Sequence, residues 1–364
     1  MHNEVAASLE GKALADRAPA ASPVRPLIEI KDLNVQFATL QGTVRAVEGL
    51  SYSVYPGEMV AIVGESGSGK SVSALAVMRL LPSGTARTQG SIRFGDRELL
   101  ALGDEEMRRI RGREIAMIFQ EPMTSLNPVL TVGLQITEPL SIHLHLDETA
   151  ARARAIELLT LVGITDPDSR LGQYPHQLSG GMRQRVMIAI GLACNPKLLI
   201  ADEPTTALDV TIQAQILDLM SQLRFELGMA MVLITHDLGV VAEMAERVAV
   251  MYAGQIVEEA TTTDLFAEPL HPYTRGLIGS VPVIGRRQEE LSVIPGRVPN
   301  LIDLPVGCRF AARCEARVEA GLTRCVEEMP ALVEIRPGHK ARCFLHSDAA
   351  DDTATPVEIG AKRA

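Results

Sequence analysis

Gly64-Glu65-Ser66-Gly67-Ser68-Gly69-Lys70-Ser71 stands between the apolar run Met59-Val60-Ala61-Ile62-Val63 and the helix-like stretch from Val72 to Leu81. A strand, a glycine-rich turn and a helix in that order predict a P-loop. The reason is mechanical. Glycines let successive backbone N–H groups turn inward on phosphate oxygens, and the helix that follows aims the positive end of its dipole at the same anion. Gly64, Ser66, Gly67 and Gly69 are read as the cradle, Lys70 as the cation reaching the β- and γ-phosphates, and Ser71 as a hydroxyl ligand of Mg²⁺. The pattern predicts a chain that binds a nucleoside triphosphate.

Around this loop the chain is 364 residues long, which exceeds what one hydrophobic core usually organises, so two domains or one domain with an appendage are expected. The formal charge of −10 supplies no global attraction to nucleic acid or anionic lipid, so no nucleic-acid partner is expected and any phosphate site must be local. Apolar stretches such as Val186 to Ala193 are too short to cross a bilayer. Residues 1–26 scatter charges through Ala and Pro without a continuous apolar run, and are read as a disordered arm rather than a secretion signal.

Upstream of the loop, the alternation from Leu27 and the run Ala46 to Val54 predict antiparallel strands, and Gly90 to Phe94 continues the β pattern. A strand over Ile115 to Phe119 ends at Gln120, and about 121–192 reads as mainly helical. Leu198 to Ala201 and Met231 to Ile234 are continuous apolar runs separated by the helical pattern Ile212 to Glu226, as expected of parallel strands buried on both faces. The fold class expected is therefore α/β, a mostly parallel core sheet with an antiparallel β subdomain and a helical subdomain. After Asp264 prolines punctuate the chain, and four of its five cysteines fall between Cys308 and Cys343. This predicts a separate loop-rich unit over 265–348, followed by a disordered tail over 349–364.

Leu198 to Ala201 delivers two carboxylates, Asp202 and Glu203, at the strand end where ligands of open α/β sheets sit. Asp202 is the candidate for holding the nucleotide's Mg²⁺, and Glu203 the candidate base for the attacking water. An exposed Asp-Glu pair at a strand end is the plainer reading, and the upstream P-loop argues against it.

At this point the sequence resembles the ATP-binding subunits of ABC transporters, from about Leu27 to about Asp264. Leu178-Ser179-Gly180-Gly181-Met182 resembles the family signature, with Met where Gln is usual. Ser179, Gly180 and Gly181 begin the helix Met182 to Ala193 and form a second anion-binding helix terminus. The resemblance implies that two subunits pair head to tail, each signature closing on ATP in the other's P-loop. It also assigns Gln120 to the Q-loop, which contacts Mg²⁺ and the attacking water, and Asp209 in Ala207-Leu208-Asp209 to the D-loop between the two sites. His236 matches the switch histidine at the γ-phosphate; taken alone, a histidine there is more often structural. Phe37 is the candidate for stacking on adenine, with a core position in the first strand as an almost equal alternative.

Beyond Asp264, Glu268-Pro269-Leu270-His271-Pro272-Tyr273-Thr274, Val293 to Pro299 and Gly307-Cys308-Arg309-Phe310 resemble the extension of ATPases that power oligopeptide, dipeptide and nickel importers, as does Glu121 to Pro128. The resemblance implies an ATP- and Mg²⁺-dependent motor on the cytoplasmic face of the membrane. Its partners would be a second ATPase subunit, related but distinct, two transmembrane permease subunits and, indirectly, a peptide-binding protein. A nickel or other small-solute importer of the same branch is the alternative, and a soluble ABC ATPase of DNA repair is a further rival. That rival calls for long heptad insertions, for which 121–192 is too short. Cys308, Cys314, Cys325 and Cys343 lack a C-x-x-C knuckle; in a reducing compartment, clustered thiols suit metal ligation better than disulfides. Zn²⁺, a [4Fe–4S] cluster and free thiols are all compatible with the spacing, and the resemblance favours the cluster. Cys194, at a helix end, is read as a small packed residue.

Overall fold

Alternating burial along the two long N-terminal strands sets one face of a sheet inward. In the computed structural model, which describes residues 25–121, 125–206, 208–280 and 294–347, β1 (Ile28–Thr39) and β2 (Gly42–Val54) pair antiparallel from Ile28 opposite Val54 to Thr39 opposite Gly42. The terminal arm up to residue 24, Pro122-Met123-Thr124, Ala207, Val293 and the tail lie outside the described residues. After β3 (Met59–Val63), the chain returns through β4 (Ala86–Phe94) and β5 (Arg97–Glu98), giving the order β2-β1-β4-β5.

The second sheet is built on β3, every residue of which is buried. It adds β6 (Ile115–Ile118), β7 (Leu198–Asp202), β8 (Ala230–Thr235), β9 (Arg247–Tyr252), β10 (Gln255–Thr261), β11 (Val333–Arg336) and β12 (His339–Ala341). Their order is β11-β12-β10-β9-β3-β8-β7-β6. From β9 to β6 the pairs are parallel. β7 and β8 are buried throughout because one face packs on the helices that follow β6 and the other on the antiparallel sheet and the P-loop helix, which explains their unbroken apolar sequence. The α/β architecture expected from the sequence is the one observed. Between β6 and β7, the helices Val132–Leu144, Glu148–Leu161 and Gly180–Leu192 pack around Val132, Ile136, Leu158 and Ile188. Among the described residues no helix is long and apolar enough to cross a membrane.

The sheet does not stop where the composition changes near Asp264. β12 pairs with β10, Glu258 opposite Ala341, so the segment expected to stand apart extends this second sheet. Buried polar ties reinforce this join. Glu258 accepts the N–H groups of Leu270 (2.7 Å) and His271 (2.8 Å) and lies 2.7 Å from His339 Nε2. Tyr252 of β9 meets the rings of Tyr273 and Phe310 at 4.7 and 5.3 Å, edge-on to Phe310.

Candidate nucleotide site

Three glycines explain the loop between β3 and the helix Lys70–Val77. Gly64 and Gly69 have φ of +151° and +98°, and a Cβ would fall 2.1 Å from the Met251 carbonyl oxygen at the first and 2.4 Å from that of Ala46 at the second. Gly67, at φ +77°, would meet nothing within 4 Å, so this turn of the cradle is open. Lys70 is buried, and its Nζ donates to the carbonyls of Gly64 (2.7 Å) and Glu65 (3.1 Å). Burial lowers its pKa from the ordinary lysine value, opposed by the charges of Glu203, Asp202 and Glu65. A phosphate beside it would favour the charged form in the same way.

Ser71 Oγ donates to Asp202 Oδ1 at 2.9 Å, so two hard oxygens from the P-loop helix and the end of β7 lie side by side, a donor set that fits Mg²⁺. Burial raises the Asp202 pKa, partly offset by the Ser71 hydrogen bond. Glu203 follows with φ +46°, an uncommon left-handed conformation for a residue with a side chain, of a kind that costs on the order of 1–3 kcal/mol and collects at functional sites. Its Oε2 is approached by Gln120 Nε2 at 3.0 Å, Thr206 Oγ1 at 2.9 Å and His236 Nδ1 at 3.4 Å. Gln120, Glu203 and His236 follow β6, β7 and β8, and β3 leads into the P-loop. The sheet order therefore brings these distant residues to one edge, where α/β ligands bind. Sequence reasoning missed Thr206, although its hydroxyl three residues after Glu203 is a readable spacing.

Ser66 belongs to the same exposed turn. Ser179 caps the helix Gly180–Leu192, its hydroxyl accepting the Met182 N–H at 3.3 Å, and both Ser179 and Gly180 are exposed. A Cβ on Gly181 would come within 2.9 Å of Ile212 Cγ2. This helix packs on its two helical neighbours, β6 and the helix Val210–Leu227, whereas the P-loop helix packs on β1, β2 and β7. Among the described residues no hydrogen bond joins Ser179, Gly180 or Gly181 to the P-loop. Asp209 caps the helix Val210–Leu227 by accepting the Ile212 N–H at 3.0 Å. Phe37 is half-buried in β1 opposite Val44 and Ala86, packed on the core under the antiparallel sheet.

Cys308, Cys314, Cys325 and Cys343 are free thiols lining one cavity of about 10 Å³, with Phe310, Leu322 and Phe344 among its walls. Their convergence matches the sequence expectation, but the metal site expected there is not supported. Among the described residues no group of three or more His, Cys, Asp or Glu side chains is placed to hold a metal ion. Burial among these apolar walls pushes the Cys308 thiol up to about 11 and Cys343 up to about 12, and raises Cys314 and Cys325. Cys194 is buried against the Pro139 carbonyl (Sγ to O, 3.5 Å), as a packed residue would be.

Two family models match the chain: "ABC transporter" over residues 47–206, and "Oligopeptide/dipeptide transporter, C-terminal region" over residues 257–320. The chain is 54% identical over 327 residues to the probable peptide ABC transporter ATP-binding protein y4tR of Sinorhizobium fredii, covering 89% of this chain and 96% of that one. It is 52% identical over 323 residues to the oligopeptide transport ATP-binding protein AppD of Bacillus subtilis, covering 88% and 97%. Among solved structures, the ATP-binding cassette MJ0796, described as dimeric in a post-hydrolysis state bound to ADP and Pi, matches with a TM-score of 0.58 and 29% identity over 65% of this chain and 98% of that one.

Proposed function

The chain belongs to the ATP-binding subunits of peptide ABC transporters, and on that premise we propose that it is the ATP-hydrolysing motor of a peptide importer, with Lys70, Ser71, Gln120, Asp202, Glu203 and His236 as its catalytic set. The observation that carries this reading is the meeting of Gln120, Thr206 and His236 on one carboxylate oxygen of Glu203, beside the Ser71–Asp202 pair. In this reading Lys70 exchanges its carbonyl partners for β- and γ-phosphate oxygens, and Ser71 and Asp202 hold Mg²⁺, which supplies charge neutralisation at the phosphates. Glu203 accepts the proton of the attacking water, which Gln120 and His236 orient. Phe37 is assigned to adenine, and the cradle of Gly64, Ser66, Gly67 and Gly69 to the phosphates.

Ser179, Gly180 and Gly181 serve the nucleotide of a second cassette, with Asp209 at the junction. The exposure of this helix start supports that arrangement, because within one chain it packs apart from the P-loop helix. The second cassette is read as a related but distinct subunit. Permease subunits and a substrate-binding protein complete the transporter, which places this chain at the cytoplasmic face of the membrane. The four thiols are read as the ligands of a [4Fe–4S] cluster, supported by their convergence on one cavity.

Anaerobic purification of the transporter tests the whole reading. The chain should copurify with two integral membrane proteins, show peptide-stimulated ATPase activity, and carry stoichiometric iron and sulfide. An isolated monomer turning over ATP at the full rate of the complex would refute the two-cassette motor, and absence of iron would refute the cluster.

A further inference from the structure

Glu65, the second residue of the P-loop, is held from outside the nucleotide fold. Its backbone N–H donates to Tyr273 Oη at 2.8 Å. Its carboxylate receives two hydrogen bonds from one guanidinium, Arg313 Nη1 at 2.8 Å and Nη2 at 3.0 Å. Both partners belong to the segment after Asp264 and are buried, Tyr273 with no accessible surface and Arg313 with 9%. Arg313 is itself fixed: it donates to the carbonyls of Ile294 (3.2 Å) and Pro295 (2.7 Å) and lies over the rings of Tyr252 and Phe310. The Glu65 carbonyl, in turn, is one of the two perches of Lys70 Nζ and accepts the Ser68 N–H at 3.2 Å.

From this chain of contacts we infer that Tyr273 and Arg313 are positioning residues for ATP, holding Glu65 so that the phosphate cradle and Lys70 stay in their binding geometry. The phenol draws the Glu65 N–H outward, which leaves the later N–H groups of the loop to turn inward on an anion. The paired bonds from Arg313 fix direction as well as distance, because a planar fork matches a carboxylate in one orientation. Displacing Glu65 moves the Lys70 perch and the start of the glycine turn together. The extension is therefore part of the nucleotide site, although it supplies no group that touches the phosphates. This inference rests on the P-loop being the ATP site.

The test uses the full chain for binding of a fluorescent ATP analogue and the assembled transporter for turnover. Tyr273→Phe deletes one oxygen and should raise the KM for ATP about fivefold, the worth of one hydrogen bond, with kcat within about twofold. Arg313→Lys should raise KM about tenfold, and adding Glu65→Gln to it should cost little more, since both changes break the same pair. A residue that only stabilised the fold would lower the melting temperature and the active fraction while leaving KM unchanged. Unchanged KM in both single variants overturns the inference, provided Lys70→Ala still loses nucleotide. If Lys70→Ala binds like the unaltered chain, the P-loop assignment itself fails. Should Arg313→Lys not fold, Tyr273→Phe decides the matter alone.

Discussion

Changing Glu203 to Gln keeps the volume and hydrogen-bonding shape of the side chain and removes its charge and basicity. Gln120, Thr206 and His236 all converge on Oε2, so an amide can still accept from this cluster and the loop geometry should survive. The loss is that of a general base, about 10²–10⁴ in rate, which corresponds to about 3–5 kcal/mol added to the barrier. Nucleotide affinity should move the other way. Glu203 is the largest of the neighbouring charges acting on Lys70, so neutralising it removes a negative charge from the place where a triphosphate must lie. ATP should bind about two- to tenfold more tightly. The assays are steady-state ATPase activity of the assembled transporter and size-exclusion chromatography with ATP and Mg²⁺, in which the variant should remain in a closed, nucleotide-loaded pair. Turnover within about threefold of the unaltered protein would refute the role given to Glu203, whatever happens to affinity.

Two further outcomes follow from buried titratable groups. Asp202→Asn should weaken Mg²⁺-dependent ATP binding by on the order of tenfold yet leave the nucleotide-free melting temperature equal or higher. Burial already raises the Asp202 pKa, so its ionised form costs stability above the folded pKa, and that cost is relieved as pH falls through it. A drop in melting temperature would count against this account. His271 behaves oppositely: burial lowers it from 6.5 to about 4, so between those values the unfolded chain takes up a proton that the folded chain does not. Stability should fall by up to about 1.4 kcal/mol for each unit that the pH drops through that window, about 3 kcal/mol in all. His271 Nδ1 accepts the Tyr273 N–H at 3.1 Å at the start of the helix Pro272–Gly279, a capping role that Asn can also fill. His271→Asn should therefore flatten the slope in denaturant titrations at stepped pH, and an unaltered slope would exclude His271 as its source.

The parts of this molecule that were legible in the sequence are those where a single residue type satisfies a local demand. Gly64 and Gly69 had to be glycine because backbone from Met251 and Ala46 occupies the space of a Cβ, and β7 and β8 had to be apolar because both faces are covered. Gln120 and His236 were legible only through the family resemblance, and their places at strand ends are what a parallel sheet converts into proximity. The hairpin of β11 and β12 was not legible, since strands of four and three residues carry too few alternations to show a period. The Glu65–Arg313 pair was equally hidden, because 248 residues separate partners that only the completed sheet brings together. These two omissions have one origin. The extension joins the ATPase through edge pairing, buried polar contacts and an irregular apolar cluster around Tyr252, Tyr273 and Phe310, and none of these leaves a repeating pattern in the chain. Composition alone made it look detachable, whereas Tyr273 and Arg313 pack against Tyr252 of β9 and reach the phosphate loop from there. Truncating the chain near Asp264 would thus strip β10 of its outer partner β12, leaving only β9, and Glu65 of both its ties at once, so a domain boundary drawn from composition would cut through the nucleotide site.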